Sequence, residues 1–184
     1  LSDETSAITV TLNSPSKSFN TAGLMQSNVI CSDIEMRRRV DRVINIFEVC
    51  EVNPFGPDAL VAAYNESEEW LDELNRYLYD NYLELKRFFA EYMPKIEVLK
   101  LEGTYLVWVD ISALEFTSDE LEAKLRDEGK VYLNSGTMYG RRAGQGYMRI
   151  NIACPRSRMI DGLTRMAKVL APYMEDDCDM GCPA

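Results

Sequence analysis

Ala7-Ile8-Thr9-Val10-Thr11-Leu12-Asn13-Ser14-Pro15-Ser16-Lys17 begins as a β-branched run and ends in a turn cluster that delivers a lysine. Val, Ile and Thr suit the pleated surface of a strand, and Asn-Ser-Pro-Ser breaks it. A lysine mounted just past a strand has two readings. It is a solvated side chain, or it is a nucleophile that traps a carbonyl, which requires a rigid mount and a pocket favouring the neutral amine. Ser14 and Ser16 bring hydroxyls and backbone N–H groups to a place where a phosphate can sit.

Further along, residues 27–31 read as a second strand, and Ser32-Asp33 stands at the N-cap of a helix over 34–47. Val40, Val43, Ile44 and Phe47 share one face of that helix, and Arg37-Arg38-Arg39 lies near its start. Asn53-Pro54-Phe55-Gly56-Pro57 is the clearest break, so a domain boundary is expected at residue 53. Two helical patterns follow, over 58–64 and along a stripe of Trp70, Leu71, Leu74, Tyr77, Leu78, Leu85 and Phe88 that stops at Met93-Pro94. The aromatics of this stretch, Tyr77, Tyr79, Tyr82, Phe88, Phe89 and Tyr92, are expected mostly in packing. Strands are expected over 96–99, 105–111, 131–133 and 147–153. Helices are expected over 118–127, with Ser118 as cap, and over 157–171. The organisation expected is 1–52, then an α+β domain over 53–172, then a disordered acidic tail over 173–184.

In Tyr147-Met148-Arg149-Ile150-Asn151-Ile152-Ala153 the alternation places Met148, Ile150 and Ile152 on one face and Arg149 with Asn151 on the other. Arg149 is either part of a solvated sheet face or a fork that grips a carboxylate with two parallel hydrogen bonds. The preceding loop carries Gly136, Gly140, Gly144 and Gly146, without the spacing of a phosphate-binding loop. Cys178 and Cys182 have a C-x-x-x-C spacing, with no second pair or histidine to complete a metal site, so no metal is expected.

Composition narrows the classes. The 184 residues, 46% hydrophobic, suffice for a sizeable core. With 20 Lys and Arg against 30 Asp and Glu, the net charge of −10 argues against nucleic acid, whose phosphates need clustered cations. The absence of histidine excludes Ser-His and Cys-His chemistry within these residues. No apolar run approaches the roughly 20 residues that cross a bilayer, and five cysteines without framework spacing point to a reducing, cytoplasmic setting. A chain that starts at Leu1 and enters a buried-looking strand is expected to be a piece of something longer.

The segment from Ser14 to Leu24 is similar to the cofactor-lysine segment of fold-type-I pyridoxal-phosphate (PLP) enzymes, in the class I/II aminotransferase family and its MalY/PatB-like cystathionine β-lyase branch. Asn53-Pro54-Phe55-Gly56, Glu102-Gly103-Thr104-Tyr105-Leu106-Val107-Trp108-Val109-Asp110 and the run from Gly146 to Ser157 agree in order and spacing. The resemblance implies an α/β enzyme, of which 1–52 is the C-terminal remnant of the large cofactor domain and 53–172 the small domain. It implies Lys17 as Schiff-base lysine and proton carrier, Ser14 and Ser16 at the phosphate, and Arg149 on the substrate carboxylate. Many aminotransferases carry an arginine eight residues after the lysine. Met25 stands there, which leans towards the lyase branch. The groups that cradle the cofactor ring precede the lysine strand in this family. The chain by itself is therefore expected to be inactive, with a second copy expected as partner in a homodimer. A C–S β-lyase is the first expectation, an aminotransferase the second, and a non-catalytic binding module the reading from another class.

Overall fold

The computed structural model describes residues 2–175, so Cys178 and Cys182 lie outside the described residues, as does most of the tail. Two compact units divide the chain, Leu1–Leu74 and Asn75–Ala184.

In the first unit, Ser2 accepts the N–H of Thr5 at 3.2 Å and caps a short helix α1, Asp3–Ala7, with Asp3 and Glu4 in its first turn. That cap, with acidic residues at the positive helix end, overrides the β-propensity of the following residues. The strand expected over 7–12 therefore starts later, as β1, Val10–Asn13. It pairs antiparallel with β2, Asn28–Cys31, in the register Val10↔Cys31 to Asn13↔Asn28. Helix α2, Ile34–Ile46, is capped by Asp33, which accepts the Met36 N–H at 2.7 Å. It buries none of its residues, and Val43 and Phe47 are 52% and 72% exposed. Among the described residues of the first unit, Cys31 and Ala63 are buried in the core, with Pro15 and Gly56 buried beside them.

The break at 53–57 opens helix α3, Gly56–Glu66, with Pro57 in the first turn, where its missing N–H costs no intrahelical bond. By compactness α3 belongs with the leading segment. The Phe19 ring meets Tyr64 edge-on at 5.4 Å and stacks on Trp70 at 6.3 Å, tying the lysine turn to α3 and to the first turn of α4, Glu68–Tyr92.

The second unit is built on an antiparallel sheet of order β3-β4-β6-β5: Glu97–Val98, Leu106–Asp110, Tyr147–Asn151 and Asn134–Ser135. Val107, Val109, Met148 and Ile150 are buried from β4 and β6. Leu78, Leu85, Phe88 and Phe89 of α4 join this core, with Met159, Leu163, Met166 and Leu170 of a C-terminal helix, Arg156–Leu170. Tyr82 is buried as well, whereas Tyr77, Tyr79 and Tyr92 stay exposed, Tyr77 accepting the Arg156 N–H at 2.8 Å.

Two local expectations are corrected. The run 131–133 is not a strand. The helix before it closes through a π turn, Leu125–Gly129, and Val131 gives its N–H to the Leu125 carbonyl. The ladder accordingly starts at Asn134. Nor does Ser118 cap its helix. Thr117 is the N-cap of α5, Ser118–Lys124, in a reciprocal capping box with Glu120. No helix among the described residues is long and apolar enough to cross a membrane.

Released from capping, Ser118 is fully buried and becomes a staple. Its Oγ donates to the Gly144 carbonyl at 3.2 Å and accepts the N–H groups of Gly146 and Tyr147 at 2.9 and 3.1 Å. Ser118→Ala leaves these groups without that partner, so a loss of about 1–3 kcal/mol is expected. Urea unfolding of wild type and variant measures it, and a difference near zero would refute the staple.

Candidate functional site

The turn after β1 is held by its own hydroxyls. Ser14 Oγ donates to the Gln26 carbonyl at 2.7 Å and accepts the Ser16 N–H at 3.1 Å, and the two serine hydroxyls meet at 2.5 Å. The hydrogen of Ser14 goes to Gln26, so Ser16 is the donor in the contact between the two hydroxyls, and both hydroxyl hydrogens are engaged within the loop. Pro15 is buried, and Phe19 closes the turn by donating its N–H to the Pro15 carbonyl at 2.9 Å. Lys17 sits on this mount, exposed, with no hydrogen bond or ion pair among the described residues. Nearby in the loop, Thr21 gives its N–H to the Ser16 carbonyl, while its own Oγ1 is buried without a partner. Met25 is 82% exposed and left-handed, with φ of 50°, and offers an anion no charge.

In the second unit, β6 turns Met148 and Ile150 into the core, so Arg149 lies on the opposite face as the alternation expects. Its cross-strand neighbours are Trp108 on β4 and Asn134 on β5. The guanidinium carbon stands 4.2 Å from the centre of the Tyr139 ring. That ring meets Trp108 edge-on at 5.5 Å, and its hydroxyl accepts the Asn134 side-chain N–H at 2.8 Å. Arg149 has no carboxylate partner among the described residues. The structure thus brings Ser14, Ser16 and Lys17 together in one turn, and Arg149 belongs to the other compact unit.

The sequence of these elements now has a counterpart. Residues 1–165 match the family described as aminotransferase class I and II. The chain belongs to that family. Among class I and II aminotransferase relatives it is 37% identical over 171 residues to cystathionine β-lyase PatB of Bacillus subtilis, covering 93% of this chain and 44% of that protein. It is 34% identical to the cystathionine β-lyase of Corynebacterium glutamicum, covering 88% and 42%. In three dimensions it matches cystalysin of Treponema denticola, a structure that contains pyridoxal 5'-phosphate, with a TM-score of 0.86, 31% identity, and 92% and 43% of the two chains covered. The chain therefore spans less than half the length of the relatives it matches.

The donor set of the Lys17 turn fits PLP in kind. An unengaged amine suits an aldehyde, the orphaned Thr21 hydroxyl suits a phosphate oxygen, and the Ser16 hydroxyl would serve a second one by exchanging its bond to Ser14. Ser14 would act through Ser16.

Other residues of the site region were hidden from a pattern reading. Asn81, buried amid the apolar stripe of α4, donates to the Ile152 and Cys154 carbonyls at 3.0 and 3.1 Å and fixes the chain leaving β6. A polar residue on an apolar stripe is its one signal. Asp119 accepts from Ser135 and Thr137 and holds the turn Gly136–Tyr139, and those two hydrogen bonds keep its carboxyl below the usual carboxylate range.

Proposed function

We propose that the full-length protein is a PLP-dependent C–S β-lyase acting on a sulfur-containing amino acid, with residues 1–52 in its cofactor domain and 53–172 in its small domain. The observation that carries this reading is a lysine with no partner among the described residues, on a turn built from hydroxyls, in a chain 37% identical to a cystathionine β-lyase. Lys17 would hold the cofactor, assisted at the phosphate by Ser16 and Ser14. PLP, when bound, supplies an electron sink for charge developed at the substrate α-carbon. Arg149 binds the α-carboxylate through two parallel N–H donors, which orients the α-carbon. Lys17 Nζ, as a free amine, would take the α-proton. The Cβ–S bond then breaks with its electron pair on sulfur, and hydrolysis of the remaining fragment yields pyruvate and ammonia beside the thiol. A second copy as partner belongs to the same reading.

Amino transfer is the second reading, in which the proton returns to the cofactor side and no thiol leaves. The absence of a charge at Met25, where many aminotransferases carry arginine, favours elimination. The full-length protein with PLP is expected to release pyruvate and a thiol from cystathionine. Efficient transfer of the amino group to 2-oxoglutarate without thiol would reject the lyase.

A further inference from the structure

We infer that Tyr139 is a positioning residue that holds the Arg149 guanidinium ready for a carboxylate, an inference that rests on the reading of Arg149 as the clamp. An arginine side chain has several rotatable bonds, and a fork is selective only when its plane is fixed before the ligand arrives. Proteins commonly fix it with an acidic side chain, which also neutralises the charge and occupies the donors. Here an aromatic face does the work instead. At 4.2 Å from the ring centre the guanidinium is within cation–π range, and this contact uses none of its N–H groups.

Tyr139 is itself fixed from two sides. Asn134 donates to its hydroxyl and Trp108 meets its edge, and both are the residues that flank Arg149 across the sheet. The turn that carries Tyr139 is tied to α5 through Asp119. Beside the ring lies an open cavity of about 300 Å³, with Leu99, Trp108, Ala143 and Tyr147 in its wall and, among the described residues, no charged side chain lining it. No carboxylate there competes for the guanidinium.

The test uses the full-length holoenzyme and two ligands, L-alanine and ethylamine, which is alanine without its carboxylate. Their affinities are read from the cofactor absorbance, without turnover. Tyr139→Leu is expected to weaken L-alanine about five- to tenfold, the scale of a partly exposed cation–π contact, and to leave ethylamine unchanged. Tyr139→Phe keeps the face and is expected to stay within about twofold of wild type. An unchanged alanine-to-ethylamine ratio in Tyr139→Leu overturns the inference, as does an equal loss for both ligands, which would mark a structural role. Arg149→Lys is the control. If it leaves the ratio unchanged, the clamp reading fails and the inference falls with it; if it lowers the ratio and Tyr139→Leu does not, the inference fails alone.

Discussion

Replacing Lys17 with alanine in the full-length protein is expected to lower kcat by at least about a thousandfold, in line with the loss of a positioned proton-transfer group that also holds the cofactor. The fold should hardly notice. Lys17 is exposed and makes no hydrogen bond or ion pair among the described residues, so its removal is expected to change stability by no more than about 0.5 kcal/mol. An activity loss with an unchanged unfolding midpoint would therefore report chemistry rather than structure. The assignment has its own direct check. Borohydride reduction of the PLP-loaded protein followed by peptide mapping should place the pyridoxyl mass on the peptide containing Lys17, and a label confined to another lysine would overturn it.

Arg149→Lys is the second large effect. The substitution keeps a positive charge and removes the planar fork, so kcat/KM is expected to fall by about 2–4 kcal/mol equivalent while PLP binding survives. The half-buried setting sharpens the contrast. Stacked on Tyr139, the arginine presents a fixed plane, whereas a lysine ammonium is a point charge on a flexible stem. An unchanged kcat/KM would return Arg149 to a solvated sheet face.

Local signals were legible in the sequence. The Asp33 cap, the proline-opened helix α3 and the alternation that sets Arg149 opposite Met148 and Ile150 each depend on residues a few positions apart. What escaped depends on competition or distance. At residues 2–7 a cap and two acids outweighed β-branched neighbours. At 117–118 two hydroxyl residues compete for one cap, and the outcome depends on Glu120 reaching back to Thr117. At 131–133 a helix end claimed an N–H that a strand needed. Tyr139 carries no periodic signal, because its partners Trp108 and Arg149 come from separate strands. The lysine turn was recognisable from its motif, yet the division of labour between Ser14 and Ser16 needed the Gln26 carbonyl, twelve residues on.

The glycines 136 and 144 have a bearing on how this site can be altered. A Cβ on either would fall inside the backbone of the other, so the two strands of the loop touch main chain to main chain. The crossing works as a rivet, clamped at one end by Ser118 and closed without any side chain of its own. Residues 138 and 140–143, strung between the riveted points, can in consequence be exchanged in a library for altered ligand preference while the anchor positions and Tyr139 stay put. Saturating Gly136 or Gly144 would instead yield misplaced loops, whatever amino acid is tried.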